Sequence, residues 1–165
     1  MILLKLVGSL LLLLAGGYVT VSVRRFERLR LRVLDGYVSL LYYVKGQIDC
    51  YAMPVQEIMA RADPRVVADC LGREFRGDLF CGGLRLSDML RESRLYLEPE
   101  CERLLTTFVG ELGSVFRAEQ VARCDYYIQA LTEERRKLYE AIPARLRTVS
   151  TLCLCCVLGA VVLLW

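Results

Sequence analysis

Residues 148–165 read TVSTLCLCCVLGAVVLLW, a stretch in which no side chain carries a formal charge. As an α-helix this stretch would be about 27 Å long, close to the roughly 30 Å hydrocarbon thickness of a bilayer. Basic residues precede it, among them Arg145 and Arg147. We therefore expect residues 148–165 to form a short transmembrane helix whose basic end lies on the cytoplasmic side.

A second apolar stretch, Ile2–Val23, carries Lys5 as its single charge and has the run Leu10–Leu14 at its centre. Its helical length would be about 33 Å, and a helix that is apolar on every face is not expected in water. We predict a transmembrane helix over residues 1–23. The alternative is a secretory signal peptide cleaved near Ala15-Gly16-Gly17. The arginine cluster that starts at Arg24 opposes cleavage, because arginines beside a membrane segment resist translocation.

The amino-acid composition agrees with two apolar terminal segments on either side of a charged middle region. The 165 residues are 55% hydrophobic, with 22 Lys and Arg against 19 Asp and Glu, whereas a soluble domain is about 45 to 50% apolar. The charges concentrate in residues 24–147, which predicts one domain there. Because both basic flanks face this domain, we expect it to be cytoplasmic, in a two-pass membrane protein. Such a composition excludes a disordered chain, a secreted disulfide miniprotein and a multidomain enzyme.

Helical periodicity begins directly after the first apolar stretch. The series Leu34, Tyr37, Leu41, Val44 and Ile48 steps by three and four residues along one helix face. Only Gly36 interrupts it. We therefore expect the first apolar helix to continue as one long helix until the pattern stops near Tyr51.

Short helices are predicted next. Pro54 suits the first turn of a helix that continues through Ala62, and a further helix covers Pro64 to Arg76 and buries Val67, Cys70, Leu71 and Phe75. Glycines predict a loop over residues 77–86. Ser87 is a suitable N-cap for a helix through Arg94.

A helical hairpin is predicted last. Glu98-Pro99-Glu100 opens a helix with an apolar face, Gly113 ends it, and another apolar stripe follows. The two faces are Cys101, Leu104, Leu105, Phe108 and Leu112, then Val121, Cys124, Ile128, Leu131, Leu138 and Ile142. No segment alternates with period two, so we predict an all-α bundle of five or six helices flanked by two transmembrane helices.

Catalytic and cofactor motifs are missing. Histidine is absent, which removes the usual general base and the commonest metal ligand. No Walker A or dinucleotide-binding glycine motif occurs. We expect no catalytic, cofactor or metal site, no small-molecule substrate and no nucleic-acid partner.

The cysteines of the middle region lack a C-x-x-C pair and are expected to be buried, reduced side chains. They are Cys50, Cys70, Cys81, Cys101 and Cys124. The alternative is that they form a thiol redox sensor.

The phrase Phe108-x-x-x-Leu112-Gly113, followed seven residues later by Gln120, resembles the stage III sporulation protein AB family of endospore-forming bacteria. The resemblance extends over the chain. It includes Lys5 in the opening, Gly16-Gly17 in the first apolar helix, and Tyr51 with Pro54. Phe116 stands where the family usually has an acid, and Met89 where it tends to have a tryptophan.

That family is similar to the cytoplasmic helical domains of the inner-membrane platform proteins of type II secretion and type IV pili. The resemblance implies a scaffold subunit of the channel between mother cell and forespore, in the mother-cell membrane. Its implied partners are a cytoplasmic secretion-type ATPase and neighbouring membrane subunits. A platform subunit of a secretion or pilus system is a further alternative.

Partner contact is expected at the end of the last hairpin. The candidate residues are Leu112, Gly113, Arg117, Glu119 and Gln120. Leu112 and Gly113 also fit a purely structural role as a helix end and its cap, and Gln120 could equally brace the helix that follows.

Overall fold

The computed structural model describes residues 2–51, 55–74, 85–114 and 116–164. Among the side chains of its helices, those of residues 2–7, 9, 55, 56, 163 and 164 lie outside the description. Every regular element in the described ranges is helical, which confirms the all-α prediction. They are α1 (Ile2–Tyr51), α2 (Val55–Ala60), α3 (Pro64–Cys70), α4 (Leu86–Ser93), a 3-10 turn (Arg94–Tyr96), α5 (Pro99–Glu111) and α6 (Arg117–Leu164).

The chain divides into two compact units. The terminal unit consists of Met1–Arg28 and Leu138–Trp165, and the middle unit of Leu29–Lys137. Helices α1 and α6, of 50 and 48 residues, each contribute to both units. The prediction that α1 continues from the first apolar stretch to Tyr51 is confirmed.

The predicted stripe of α1 forms the core of the middle unit. All five of its members are buried, and Val33 and Leu40 join them. Helix α6 runs antiparallel to α1 here, because three ion pairs connect successively later residues of one helix to earlier residues of the other. They are Asp35 with Arg135, Lys45 with Asp125 at 2.6 Å, and Asp49 with Arg117.

Gly36 does not break α1. A Cβ atom on Gly36 would lie 2.7 Å from the backbone nitrogen of Cys70 and 3.0 Å from the carbonyl carbon of Asp69. Real Cβ atoms are not found that close to backbone atoms, so glycine here lets the end of α3 approach α1 directly. The glycine that interrupts the sequence pattern is therefore a packing position inside a continuous helix.

The short helices differ from the predicted bounds. Helix α3 begins at Pro64, where the Asp63 carboxylate accepts a 2.8 Å hydrogen bond from the backbone of Arg65. It ends at Cys70, earlier than predicted, because Gly72 adopts a left-handed conformation with φ 66°. Residues 52–54 and 75–84, which include Pro54, Phe75, Cys81 and most of the predicted loop, lie outside the described residues.

Ser87 was wrongly predicted as an N-cap. Helix α4 begins at Leu86, its N-cap is Arg85, and Ser87 lies inside the helix with its side chain exposed. The earlier start places Leu86 on the same face as Met89 and Leu90, and all three are buried. Burial of this i, i+3, i+4 set therefore decides the helix start in place of the local capping preference.

The predicted hairpin of α5 and α6 is confirmed. Pro99 is the first residue of α5, and its cap is Glu98. Cys101, Leu105 and Phe108 are buried, and Phe108 packs against Tyr127 of α6, while Leu104 and Leu112 are half-buried. On α6, the buried members of the predicted stripe are Cys124, Ile128, Leu131 and Leu138; Val121 and Ile142 are half-buried. Tyr127 joins this core.

In the terminal unit, the apolar ends of α1 and α6 contact each other. A Cβ atom on Gly16 would lie 3.0 Å from Cγ2 of Val157. By length and composition alone, one helix in the described residues, Arg117–Val162, could cross a membrane; its apolar window has mean hydropathy 1.6 and none of it is buried. The predicted span over residues 1–23 includes side chains outside the description and stays a prediction.

Candidate partner-contact surface

The five predicted contact residues lie around the turn between α5 and α6. We call the exposed residues of this turn, together with Asp49 and Tyr51 at the end of α1, the tip surface. Gly113, Arg117 and Glu119 are exposed and Leu112 is half-buried. Gln120, in contrast, is 3% exposed.

Gln120 closes the turn from inside. Gly113 adopts a left-handed conformation with φ 83°, which non-glycine residues rarely adopt. Its backbone N–H donates a 3.1 Å hydrogen bond to Oε1 of Gln120. The other polar atom of this side chain, Nε2, is buried and has no hydrogen-bond partner among the described residues. Gln120 therefore holds the turn in shape and offers no surface to a partner.

Arg117 ties the start of α6 to the end of α1. Its guanidinium donates to the backbone carbonyl of Asp49, and Nη2 lies 3.6 Å from the Asp49 carboxylate. The last carbonyls of a helix lack partners within the helix and carry partial negative charge. A cation at that position stabilises the end of α1 and keeps it beside the turn.

A polar network on the side of the hairpin completes the connection. Arg123 contacts Glu119 at 2.7 Å and Glu111 at 3.2 Å. Glu111 also accepts a 3.0 Å hydrogen bond from the Tyr127 hydroxyl. The Tyr127 ring packs edge-on against Phe108 at 5.3 Å between centroids. Glu119 therefore forms an ion pair within α6. Polar and aromatic contacts together stabilise the hairpin of α5 and α6.

The exposed aromatic residues of the tip surface were not among the predicted contact residues. Phe116, directly before α6, is 89% exposed, and Tyr51, at the last position of α1, is 68% exposed. The backbone carbonyl of Phe116 accepts the N–H of Gln120 at 2.9 Å, so the first turn of α6 holds this residue. The available signal was an aromatic residue in a turn, outside either helical stripe.

Comparison with known families bears on the whole chain. The family model described as stage III sporulation protein AB matches residues 5–165. The chain belongs to the stage III sporulation protein AB family. No curated protein and no solved structure matches it significantly. The resemblance expected from the sequence is confirmed, and with it a role related to sporulation.

The thiols of this stage III sporulation protein AB member are mostly buried in the middle unit. Cys70, Cys101 and Cys124 are buried, as predicted. Burial raises the pKa of the Cys70 thiol strongly, that of Cys101 to about 11, and that of Cys124 as well. The prediction was wrong for Cys50, which is exposed near the end of α1. Cys81 lies outside the described residues.

Metal binding gains no support from the described residues. Within residues 2–51, 55–74, 85–114 and 116–164, no three Asp, Glu or Cys side chains group in a way that could hold a metal ion. The tip surface carries exposed aromatic rings, Phe116 and Tyr51, beside the paired charges of Asp49 and Arg117.

Proposed function

We propose that this chain is a non-enzymatic membrane scaffold subunit of the channel that joins mother cell and forespore. It would dock a cytoplasmic secretion-type ATPase and neighbouring membrane subunits. Family membership supports the sporulation role. The resemblance of the family to secretion and pilus platform proteins supports the ATPase as the docking partner, as a fold-level analogy.

Exposed apolar side chains in the terminal unit support membrane insertion. Leucines, valines and one tyrosine on both helices are 44 to 75% exposed. They are Leu10, Leu11, Leu13, Leu14, Tyr18, Val19 and Val21 on α1, and Leu152, Leu154, Leu158 and Val162 on α6. An apolar surface of this extent is unfavourable in water and favourable in lipid.

The boundaries of the apolar segments support a two-pass arrangement. Arg24 directly follows the first segment and Arg147 directly precedes the second, and both line one pocket of the terminal unit. The basic flanks of the two segments therefore lie at the same end of this helical pair. By the positive-inside rule, we assign residues 24–147 to the cytoplasm and the two segments, residues 1–23 and 148–165, to the membrane. The choice of the mother-cell membrane rests on the resemblance to the family.

The exposure of Phe116 is the observation that carries the docking proposal. An aromatic ring that leaves water on binding is a common anchor of a protein interface. Its backbone is held by Gln120, and Gly113 and Arg117 restrain the turn on both sides. Because these hydrogen bonds already restrain Phe116 and Gly113, less conformational entropy is lost when a partner binds.

The test is capture of a purified cytoplasmic secretion-type ATPase, taken from the same sporulating cells, by the full-length protein in membranes. We expect Phe116→Ala to reduce capture at least tenfold, since truncating an aromatic anchor typically costs about 2 kcal/mol or more. Leu95→Ala is the matched control, because Leu95 is 82% exposed on the 3-10 turn, outside the tip surface. Equal capture by the wild type and both variants would contradict docking through Phe116.

The thiol-sensor alternative is disfavoured by burial. The thiolate is the reactive form of cysteine, and buried thiols with raised pKa values form little of it near neutral pH. Among the described cysteines of the middle unit, that leaves Cys50 as the accessible one. The family match likewise favours sporulation over a secretion or pilus system.

A further inference from the structure

The terminal unit contains a pocket of about 320 Å³ between α1 and α6. It is a groove open to solvent, since Arg24, Pro143, Arg147 and Thr151 are exposed. Two guanidinium groups and two hydroxyl groups line it, together with apolar atoms. The lining residues are Arg24 of α1, and Pro143, Leu146, Arg147, Ser150 and Thr151 of α6.

The α6 residues of the pocket share one helix face. From Pro143 they follow at steps of three, four, seven and eight residues, the spacing of a single stripe. Pro143 lies inside the helix and supplies no N–H, so the carbonyl four residues earlier has no such donor. Arg24 approaches this face from the other helix.

The two guanidinium groups have no carboxylate partner among the described residues. In the same unit, Arg145 lies 3.9 Å from the carboxylate of Glu27, which is itself only 7% exposed. The remaining acid of the unit is Glu140, on a part of α6 that does not line the pocket. Two like charges in one pocket with no internal counter-charge favour the binding of an external anion.

We propose that this pocket binds the phosphate group of an anionic phospholipid. Guanidinium groups bind phosphate oxygens with paired, charge-assisted hydrogen bonds, and the hydroxyl groups of Ser150 and Thr151 can donate to the remaining oxygens. Arg24 and Arg147 border the apolar segments, which is the depth of headgroup phosphates. Basic pockets between transmembrane helices are established sites for such headgroups. The inference rests on the proposed membrane placement.

The test compares two double variants of the full-length protein in neutral detergent. Arg24→Gln with Arg147→Gln removes both cations of the pocket. Arg25→Gln with Arg28→Gln removes the same charge from neighbouring positions of α1 that do not line it. Phosphatidylglycerol is titrated, binding is followed by native mass spectrometry, and phosphatidylcholine and inorganic phosphate serve as separate probes. Alkaline extraction of cell membranes reports insertion for each variant.

We expect the wild type and the Arg25/Arg28 variant to bind phosphatidylglycerol with affinities within about threefold of each other, and the Arg24/Arg147 variant at least tenfold more weakly. Equal losses of phosphatidylglycerol affinity in both variants would overturn the proposal, because binding would then depend on the overall surface charge and not on this pocket. Binding of inorganic phosphate as tight as that of the lipid would also overturn it. If alkaline extraction releases the wild type, the membrane placement has failed; if the wild type stays inserted without a lipid preference, this inference alone has failed.

Discussion

The backbone N–H of Gly113 donates a 3.1 Å hydrogen bond to the side-chain oxygen of Gln120, seven residues later. This bond accounts for the seven-residue spacing in this chain. The left-handed Gly113 points its N–H into the turn, and Gln120, the first buried residue of α6, supplies the acceptor. In this chain, these residues close the hairpin between α5 and α6. The buried Gln120 side chain thereby supports the exposed residues of the tip surface.

Replacing Gln120 with alanine is expected to lower the free energy of unfolding by about 1 to 2 kcal/mol, because the Gly113 N–H loses its acceptor and a packed side chain is removed. Denaturant unfolding of the full chain in detergent measures this. Glu119→Ala is the control, since an exposed substitution should stay within about 0.5 kcal/mol. Equal stability of the two variants would contradict the closing role of Gln120.

Gly36 and Gly46 provide a matched pair on α1. Gly36→Ala is expected to destabilise the middle unit by about 1 to 3 kcal/mol, because its Cβ would overlap the backbone of α3. Gly46 has no atom within 4 Å of a Cβ position, so Gly46→Ala should stabilise the helix by roughly 0.5 to 1 kcal/mol. Thermal unfolding midpoints of the two variants should move in opposite directions. A higher unfolding midpoint for both variants would show that the backbone of α3 does not lie in contact with Gly36.

Stability is expected to fall with alkaline pH. The pKa of Cys101 is raised from 9.0 to about 11 by burial, and Cys70 is shifted in the same direction. A raised folded-state pKa means that the unfolded chain loses these protons first. The contribution of the buried Cys101 thiol to the free energy of unfolding is therefore complete below pH 9 and is lost as the pH rises toward 11. Unfolding curves at pH 8 and pH 10.5 measure the loss. Cys101→Ala should reduce the difference, and an unchanged pH dependence in this variant would refute the assignment to Cys101.

Much of the fold follows from side-chain spacing. The α1 stripe from Leu34 to Ile48 and the hairpin around Gly113 were predicted because helix periodicity and a helix-ending glycine act locally. The start of α4 was predicted wrongly, because Ser87 has a good local capping preference and the burial of Leu86 outweighs it. The early end of α3 depends on Gly72, whose left-handed backbone was not evident from the sequence.

The candidate contact site stays a prediction, but the structure shows which of its residues are exposed. Sequence spacing located the turn, yet it did not separate Gln120, which is buried, from Glu119, which is exposed beside it. The contact of Arg117 with Asp49 joins residues that are far apart in the chain, so it could not be predicted from a local sequence pattern. Phe116 was noted only as a departure from the family, and its exposure became evident from the packing of the turn.

The placement of the middle unit on the cytoplasmic side is tested most directly at Cys50, an exposed thiol near the end of α1. Cells that produce the full chain are treated with a membrane-impermeant maleimide before and after permeabilisation, and Cys50→Ser identifies the signal that belongs to this residue. We expect no labelling of Cys50 in intact cells and strong labelling after permeabilisation. Labelling of Cys50 in intact cells would contradict it.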